Sequence, residues 1–271
     1  LNGTGTQYAA LAVGGANDAD AVQHYDGAAW TAGGNMINNR LNGGALGSQN
    51  AALAMGGHPT VSGVITATEE YNGFVWSAGG ALPIGKCHAG STGTQNAGLV
   101  VGGMTPTVVA TTEEYDGSSW TAVTSANTAR TGLRAVGQQY AALAIAGYTP
   151  TIVANTEEYN GSVWSEVNDL QTARKTFAAG GTFGSGGTFG DAFIAGGDPA
   201  GAVAKTEEWN GVTWSERSAM IAGRRRLAGA GTRAAGLAIS GDAPGHALTE
   251  EYAGSGIYKS LKICAITGSQ A

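Results

Sequence analysis

Large apolar residues alternate with small ones over six short stretches: ALAVGG at 10–15, ALAMGG at 52–57, GLVVGG at 98–103, ALAIAG at 142–147, AFIAGG at 192–197 and GLAISG at 236–241. Leu11, Leu53, Leu99, Leu143, Phe193 and Leu237 fall in one column. A period of two predicts a strand, and small residues between the large ones let a neighbouring sheet approach closely. After each stretch comes a polar and aromatic segment, clearest as TEEYNGFVWS at 68–77, TEEYDGSSWT at 112–121, TEEYNGSVWS at 156–165 and TEEWNGVTWS at 206–215. Asn-Gly or Asp-Gly between strand-like flanks predicts a hairpin with a two-residue type I′ turn. A linker then leads to another short strand, such as RTGLRAVG at 130–137. The pattern predicts units of four short strands.

The aromatic before Asx-Gly marks the period: Tyr25, Tyr71, Tyr115, Tyr159 and Trp209, with a degenerate sixth at Tyr252, spaced 46, 44, 44, 50 and 43 residues apart. GGTFGS at 180–185 followed by GGTFGD at 186–191 is a six-residue duplication that accounts for the longest interval. The residues after Tyr252 and those up to Tyr25 together supply one further period of 44. That sum is expected of a ring whose last strand completes its first unit. Six repeats of four short strands predict an all-β fold, a six-bladed β-propeller of four antiparallel strands per blade, closed by its termini and forming one domain over 1–271.

These residues resemble the kelch-type propellers, whose repeat carries a Gly-Gly doublet, a Tyr and a Trp. Gly14-Gly15 with Tyr25 and Trp30, Gly56-Gly57 with Tyr71 and Trp76, and Gly102-Gly103 with Tyr115 and Trp120 carry the match. Later units depart, with Ala146-Gly147 and Ser240-Gly241 at the doublet, Trp209 for Tyr, and Ile257 where Trp is expected. The Ala/Gly/Thr-rich form TEEY-[N/D]-G-x-x-W is also similar to kelch-like repeats in predicted structural proteins of aquatic bacteriophages. That resemblance implies a virion surface or appendage.

Charged residues are only 13% of the chain and the formal net charge is −6, so no global field draws it to nucleic acid or anionic lipid. No apolar run reaches the ~18 residues of a membrane helix. Leu1 rather than Met opens the sequence, as expected of a processed, excised or incomplete chain. Cys87 and Cys264 are too few for a disulfide framework.

Candidate chemistry is sparse. The Glu pairs 69-70, 113-114, 157-158, 207-208 and 250-251 place adjacent carboxylates on opposite faces of a strand, which suits symmetric solvation or inter-blade pairing better than catalysis. The repeated aromatics are expected to pack between blades rather than to stack on sugars. Asp26 and Asp116 directly precede Gly, which does not match a sialidase box, and the Tyr/His/Cys constellation of a galactose oxidase type copper site cannot be placed. His24, His58, His88 and His246 occupy different columns without metal-ligand spacing, and no phosphate-loop motif occurs, so no metal or cofactor is expected. Asn2 and Asn160 begin glycosylation sequons.

One column stands out. Ten residues past each Trp lie Arg40, Lys86, Arg130, Arg174 and Arg224, just before the predicted innermost strand, with Arg225 and Arg226 extending the last. Two readings are open: a basic ring at the channel mouth that receives an acidic glycan or acidic protein loop, or cations that pair with Glu of a neighbouring blade and cap strand-end carbonyls. The expectation is a non-enzymatic binding or structural module of a virion or extracellular appendage, such as a tail fibre, partnered by other subunits of that assembly. A carbohydrate-active enzyme using one propeller face and a kelch-type adaptor are the alternatives.

Overall fold

The computed structural model describes every residue except 16–18, 60–62, 184–188, 243–247, 255–256 and 264–271. Cys264, His246, the middle of the Gly-rich duplication and the side chain of Ile257 therefore lie outside the described residues. Six four-stranded antiparallel sheets span residues 2–32, 44–78, 90–123, 134–167, 178–217 and 228–263, and these are blades 1 to 6; in blade 3 a small two-stranded ribbon, Met104–Thr105 with Thr107–Val108, intervenes between the second and third strands. The described residues contain no helix. First strands run Asn2–Thr6, Gly44–Ser48, Gly90–Thr94, Arg134–Gln138, Ala178–Phe183 and Ala228–Gly231. Each lies beside the first strand of the next blade, and that of blade 6 lies beside that of blade 1, so the six surround a central channel.

Among the described residues no strand is exchanged across the joint between blades 6 and 1. Asn2–Thr6 is already the first strand of blade 1, and blade 6 completes itself with Ile257–Ile263. The expectation that the last strand finishes the first unit is thereby corrected. Side chains make the joint instead: Tyr25 Oη donates to Glu251 at 2.9 Å, and Trp30 Nε1 donates to Thr249 Oγ1 at 3.2 Å.

Six apolar clusters sit one at each blade interface, which is where the alternation of large and small residues acts. Between blades 1 and 2, Leu11, Val13, Val22 and Met36 meet Ala45, Ala52, Ala54, Tyr71 and Trp76. In blade 2, Leu53 and Met55 turn the other way and meet Val100, Tyr115 and Trp120 of blade 3. Large side chains thus cover one face of a sheet, while the opposite face carries Ala beside that sheet's own Tyr and Trp, and those aromatics meet the large residues of the preceding blade. Those aromatics pack as predicted, with the Tyr71 and Trp76 rings stacked 4.7 Å apart across the hairpin. Burying each such side chain contributes roughly 1.5–3 kcal/mol.

The hairpin turn differs from the two-residue type I′ expectation. Tyr71 pairs directly with Trp76, leaving a four-residue loop in which only Gly73, at φ 94°, is left-handed. Asn72 Oδ1 instead accepts the amides of Phe74 and Val75, both at 3.0 Å. Asp116, Asn160 and Asn210 repeat the arrangement, so Asx is selected as an acceptor and not for left-handed backbone.

The Gly-Gly doublet also resolves into two roles. Its first position is left-handed in every blade, and Ala146 and Ser240 adopt it at φ 50° and 56°. Its second position is always Gly, because a Cβ on Gly57 would stand 2.8 Å from Leu41 O, with matching clashes at Gly103, Gly147, Gly197 and Gly241. The structure therefore tolerates the substitutions that weaken the doublet in sequence.

Candidate functional site

The column of five cations does not present its charges at the channel mouth. Arg40, Lys86, Arg130, Arg174 and Arg224 are at most 2% exposed. Each pairs with the first Glu of the blade it precedes: Arg40 with Glu69, Lys86 with Glu113 at 2.5 Å, Arg130 with Glu157 at 2.8 Å, Arg174 with Glu207 at 2.5 Å, and Arg224 with Glu250 at 2.7 Å. The arginines also donate to strand-end carbonyls, as Arg130 Nη1 does to Ala146 O and Asn155 O at 3.0 and 2.6 Å. The same carboxylates accept linker amides: Asn127 and Thr128 donate to Glu157. Each arginine pair pins a linker to the end of the second strand and to the third strand of the next blade, whereas Lys86 reaches Thr111 and Glu113. An open basic ring is therefore not what the column forms: its charges are buried against Glu carboxylates, the second of the two readings.

The second Glu of four of the five pairs accepts a Tyr hydroxyl of the neighbouring blade. Tyr115 Oη donates to Glu70 at 2.6 Å, Tyr159 to Glu114 at 2.9 Å and Tyr252 to Glu208. This contact and burial push the Tyr115 phenol up to about 12. Blade 1 carries His24 in that column, and His24 Nε2 lies 2.8 Å from Tyr71 Oη. A third repeated staple, missed in the sequence, is the Gln of the first hairpin. Gln49 Nε2 donates to Ala10 O and Tyr25 O, Gln95 to Ala52 O and Tyr71 O, and Gln139 to Gly98 O and Tyr115 O.

The channel holds a different cation. First strands open with Asn2, Gly44, Gly90, Arg134, Ala178 and Ala228. Arg134 alone in this column carries a long cationic side chain. It reaches across to donate to Phe177 O at 3.0 Å and Leu227 O at 2.9 Å. Burial lowers its pKa to about 10, so it stays charged at neutral pH. The signal was available as one Arg in a column of small or uncharged residues.

Around this mouth the repeat ceases to repeat. Gly57 N–H donates to Lys86 O at 2.8 Å, and Gly103, Gly147 and Gly197 bond the next linker alike. This contact lays the residue after each doublet beside the entrance to the following blade. There Tyr148 meets Lys175, whose ammonium lies 4.7 Å from the ring centroid, and Asp198 meets Arg225 at 3.4 Å. At the equivalent junction His58 meets Cys87 and His88, whose ligand atoms lie within 4.8 Å of one another. Cys87 Sγ is 3.3 Å from His88 Nδ1 and 3.6 Å from Met104 O. Burial pushes the Cys87 thiol up to about 11 and, with Arg134 and His58 adding repulsion, lowers His88 to about 4. Column-by-column reading kept these histidines apart; the doublet contact brings them together.

Asn160, half of a sequon, already spends its side-chain oxygen on the amides of Ser162 and Val163. Asn2 is half-buried at the start of the first strand.

This architecture makes the chain a six-bladed β-propeller. The solved structure titled "Structure of YjhT" superposes with a TM-score of 0.76 at 14% identity, covering 96% of this chain and 97% of that one. At that identity the likeness is one of fold. No family model matches the sequence. No curated protein matches it either.

Proposed function

We propose that this propeller is a non-enzymatic binding or structural module, carried on a virion surface, tail fibre or other extracellular appendage and serving attachment or assembly. The observation that carries this reading is a division of labour within the repeat. Columns that recur from blade to blade, the five cations, the Glu pairs, the Tyr, the Trp and the Gln, are turned into bonds that hold blades together. Residues that differ between blades gather on one face around the channel, at His58, Cys87, His88, Tyr148, Lys175, Asp198, Arg225 and Arg226. An invariant frame with one variable face suits recognition. The kelch-like and bacteriophage-like form of the repeat supports the placement on a particle. An acidic glycan or protein loop would meet Lys175 and Arg226 on that face instead of the five buried cations.

Imaging native particles with an antibody to this chain, alongside a glycan array probed with the isolated propeller, tests the reading. Labelled fibres or shells, or retention of sulfated or carboxylated glycans that Arg226→Ala weakens, are expected. A chain absent from particles and inert on the array would remove it. The His58, Cys87 and His88 cluster favours a second reading, an enzyme using the same face, since an active site needs a polar cluster confined to one or two blades.

A further inference from the structure

The geometry points to a metal site: we infer that His58, Cys87 and His88 bind one borderline-soft divalent cation of the zinc class between blades 2 and 3. The inference is independent of any virion role.

Three observations carry it. First, the donor set is two imidazoles and one thiol, a combination suited to zinc and unsuited to hard cations such as magnesium or calcium. All three donor atoms lie within 4.8 Å of one another. With metal–nitrogen and metal–sulfur bonds of about 2.0–2.3 Å, tetrahedral ligands stand roughly 3.3–3.7 Å apart. The 3.3 Å between Cys87 Sγ and His88 Nδ1 already meets that spacing. The His58 donor, within 4.8 Å of the other two, has the remaining distance to close.

Second, the backbone fixes where the ligands start. Leu41 bridges His58, Cys87 bridges Met104, and the His88 amide donates to Asn42 O at 2.8 Å. Third, His58 is oriented from behind. Its Nδ1 lies 2.7 Å from Gly63 O, which sets the tautomer and leaves the Nε2 lone pair for an ion. Metal-bound histidines characteristically use their second nitrogen in this way.

A scaffold role does not account for the cluster. Equivalent junctions carry Tyr148 with Lys175 and Asp198 with Arg225, and the fold forms at each of them. Nor does a cysteine nucleophile, since Cys87 is 1% exposed. Binding would displace the thiol proton to solvent and create a thiolate–metal bond with no redox change. Three protein ligands leave a fourth position, and a cleft lined by His88, Met104, Tyr148 and Asp198 adjoins the cluster on its His88 side.

The test is titration of the reduced, metal-free chain with Co(II), followed by competition with Zn(II). One equivalent of cobalt is expected to produce thiolate-to-cobalt charge-transfer absorption with tetrahedral ligand-field bands, and zinc to abolish both. Cys264→Ser should keep the absorption and Cys87→Ser should lose it. His58→Gln should weaken cobalt binding by at least about 10-fold, on the scale of altering groups that tune a metal site. His58 is half-buried, so this variant supplies the comparison should Cys87→Ser fail to fold. Absence of thiolate–cobalt absorption at one equivalent, its persistence in folded Cys87→Ser, or unchanged affinity in His58→Gln would each overturn the site.

Discussion

Arg130 Nη2 stands 2.8 Å from Glu157 Oε1 with both side chains fully buried, although 27 residues separate them in sequence. A buried pair of this kind is costly to break from one side, because the partner left behind is a charge out of water. Glu157→Ala is therefore expected to destabilise the fold by about 3–5 kcal/mol. The double change Arg130→Met with Glu157→Leu should cost clearly less than that single one. Denaturant unfolding followed by tryptophan fluorescence checks the order. A double variant no more stable than Glu157→Ala would mean that the carbonyl bonds to Ala146 and Asn155, and not the charge pairing, dominate.

His24 replaces the Glu that other blades offer to the neighbouring Tyr, and burial lowers its pKa from the ordinary 6.5. The folded state therefore favours neutral imidazole. Its contribution is fully present above pH 6.5 and is lost as pH falls through the lower folded pKa. His24→Glu should form the Glu–Tyr bond found elsewhere and remove this mildly acidic sensitivity. Proton NMR of the His24 ring, with melting temperatures of both forms between pH 7 and 5, provides the measurement. A His24 pKa at or above 6.5 would contradict the arrangement.

Asp116 caps its turn by accepting the amides and hydroxyls of Ser118 and Ser119, which holds its pKa down to about 2 against an ordinary 3.8. Stability from this carboxylate is present above pH 3.8 and is lost as pH falls through about 2. Asp116→Asn should preserve the turn, since Asn72 makes the same two amide contacts. The variant should lack that part of the acid dependence. Melting curves of the two proteins that stay parallel from pH 5 to 2 would show that the hydroxyl and amide contacts do not favour the ionised form.

Much of this fold is legible because one solution is written six times. The Leu11 column, the doublet and the Tyr–Trp pairs each predict a strand, and their period predicts the ring. The turn at Asn72 was misread because Asn-Gly serves both a type I′ turn and an Asx-capped loop, and only the register of Tyr71 with Trp76 distinguishes them. The cation column was seen, but its depth was not. A cation every repeat and a Glu every repeat satisfy either a rim or a buried pair, and their spacing does not say which face they share. His58, Cys87 and His88 were missed for the opposite reason. A search for what recurs passes over the positions that vary, and the contact from Gly57 to Lys86 that unites them is backbone geometry without a side-chain signature.

The joint between blades 6 and 1 should be the first part of the ring to open. Consecutive blades are joined by the chain and by linker bonds such as Gly57 N–H to Lys86 O, whereas blades 6 and 1 meet through side chains. Gln7 reaches its two carbonyls at 3.4 and 3.3 Å, while Gln49 reaches the corresponding pair at 3.0 and 2.7 Å. Trp30 is only half-buried, whereas Trp76, Trp120, Trp164 and Trp214 are 4–7% exposed. Local opening follows the least supported contacts. Amides of Val22–Tyr25 and Trp30–Ala32 are therefore expected to exchange with deuterium faster than those of Thr112–Tyr115 and Trp120–Val123 in blade 3. Glu251→Ala, which removes the acceptor of Tyr25, should widen the difference, while Glu70→Ala should raise exchange around Tyr115 instead. Equal exchange in blades 1 and 3 of the unaltered chain would show that side-chain contacts hold this joint as firmly as the linkers hold the other five.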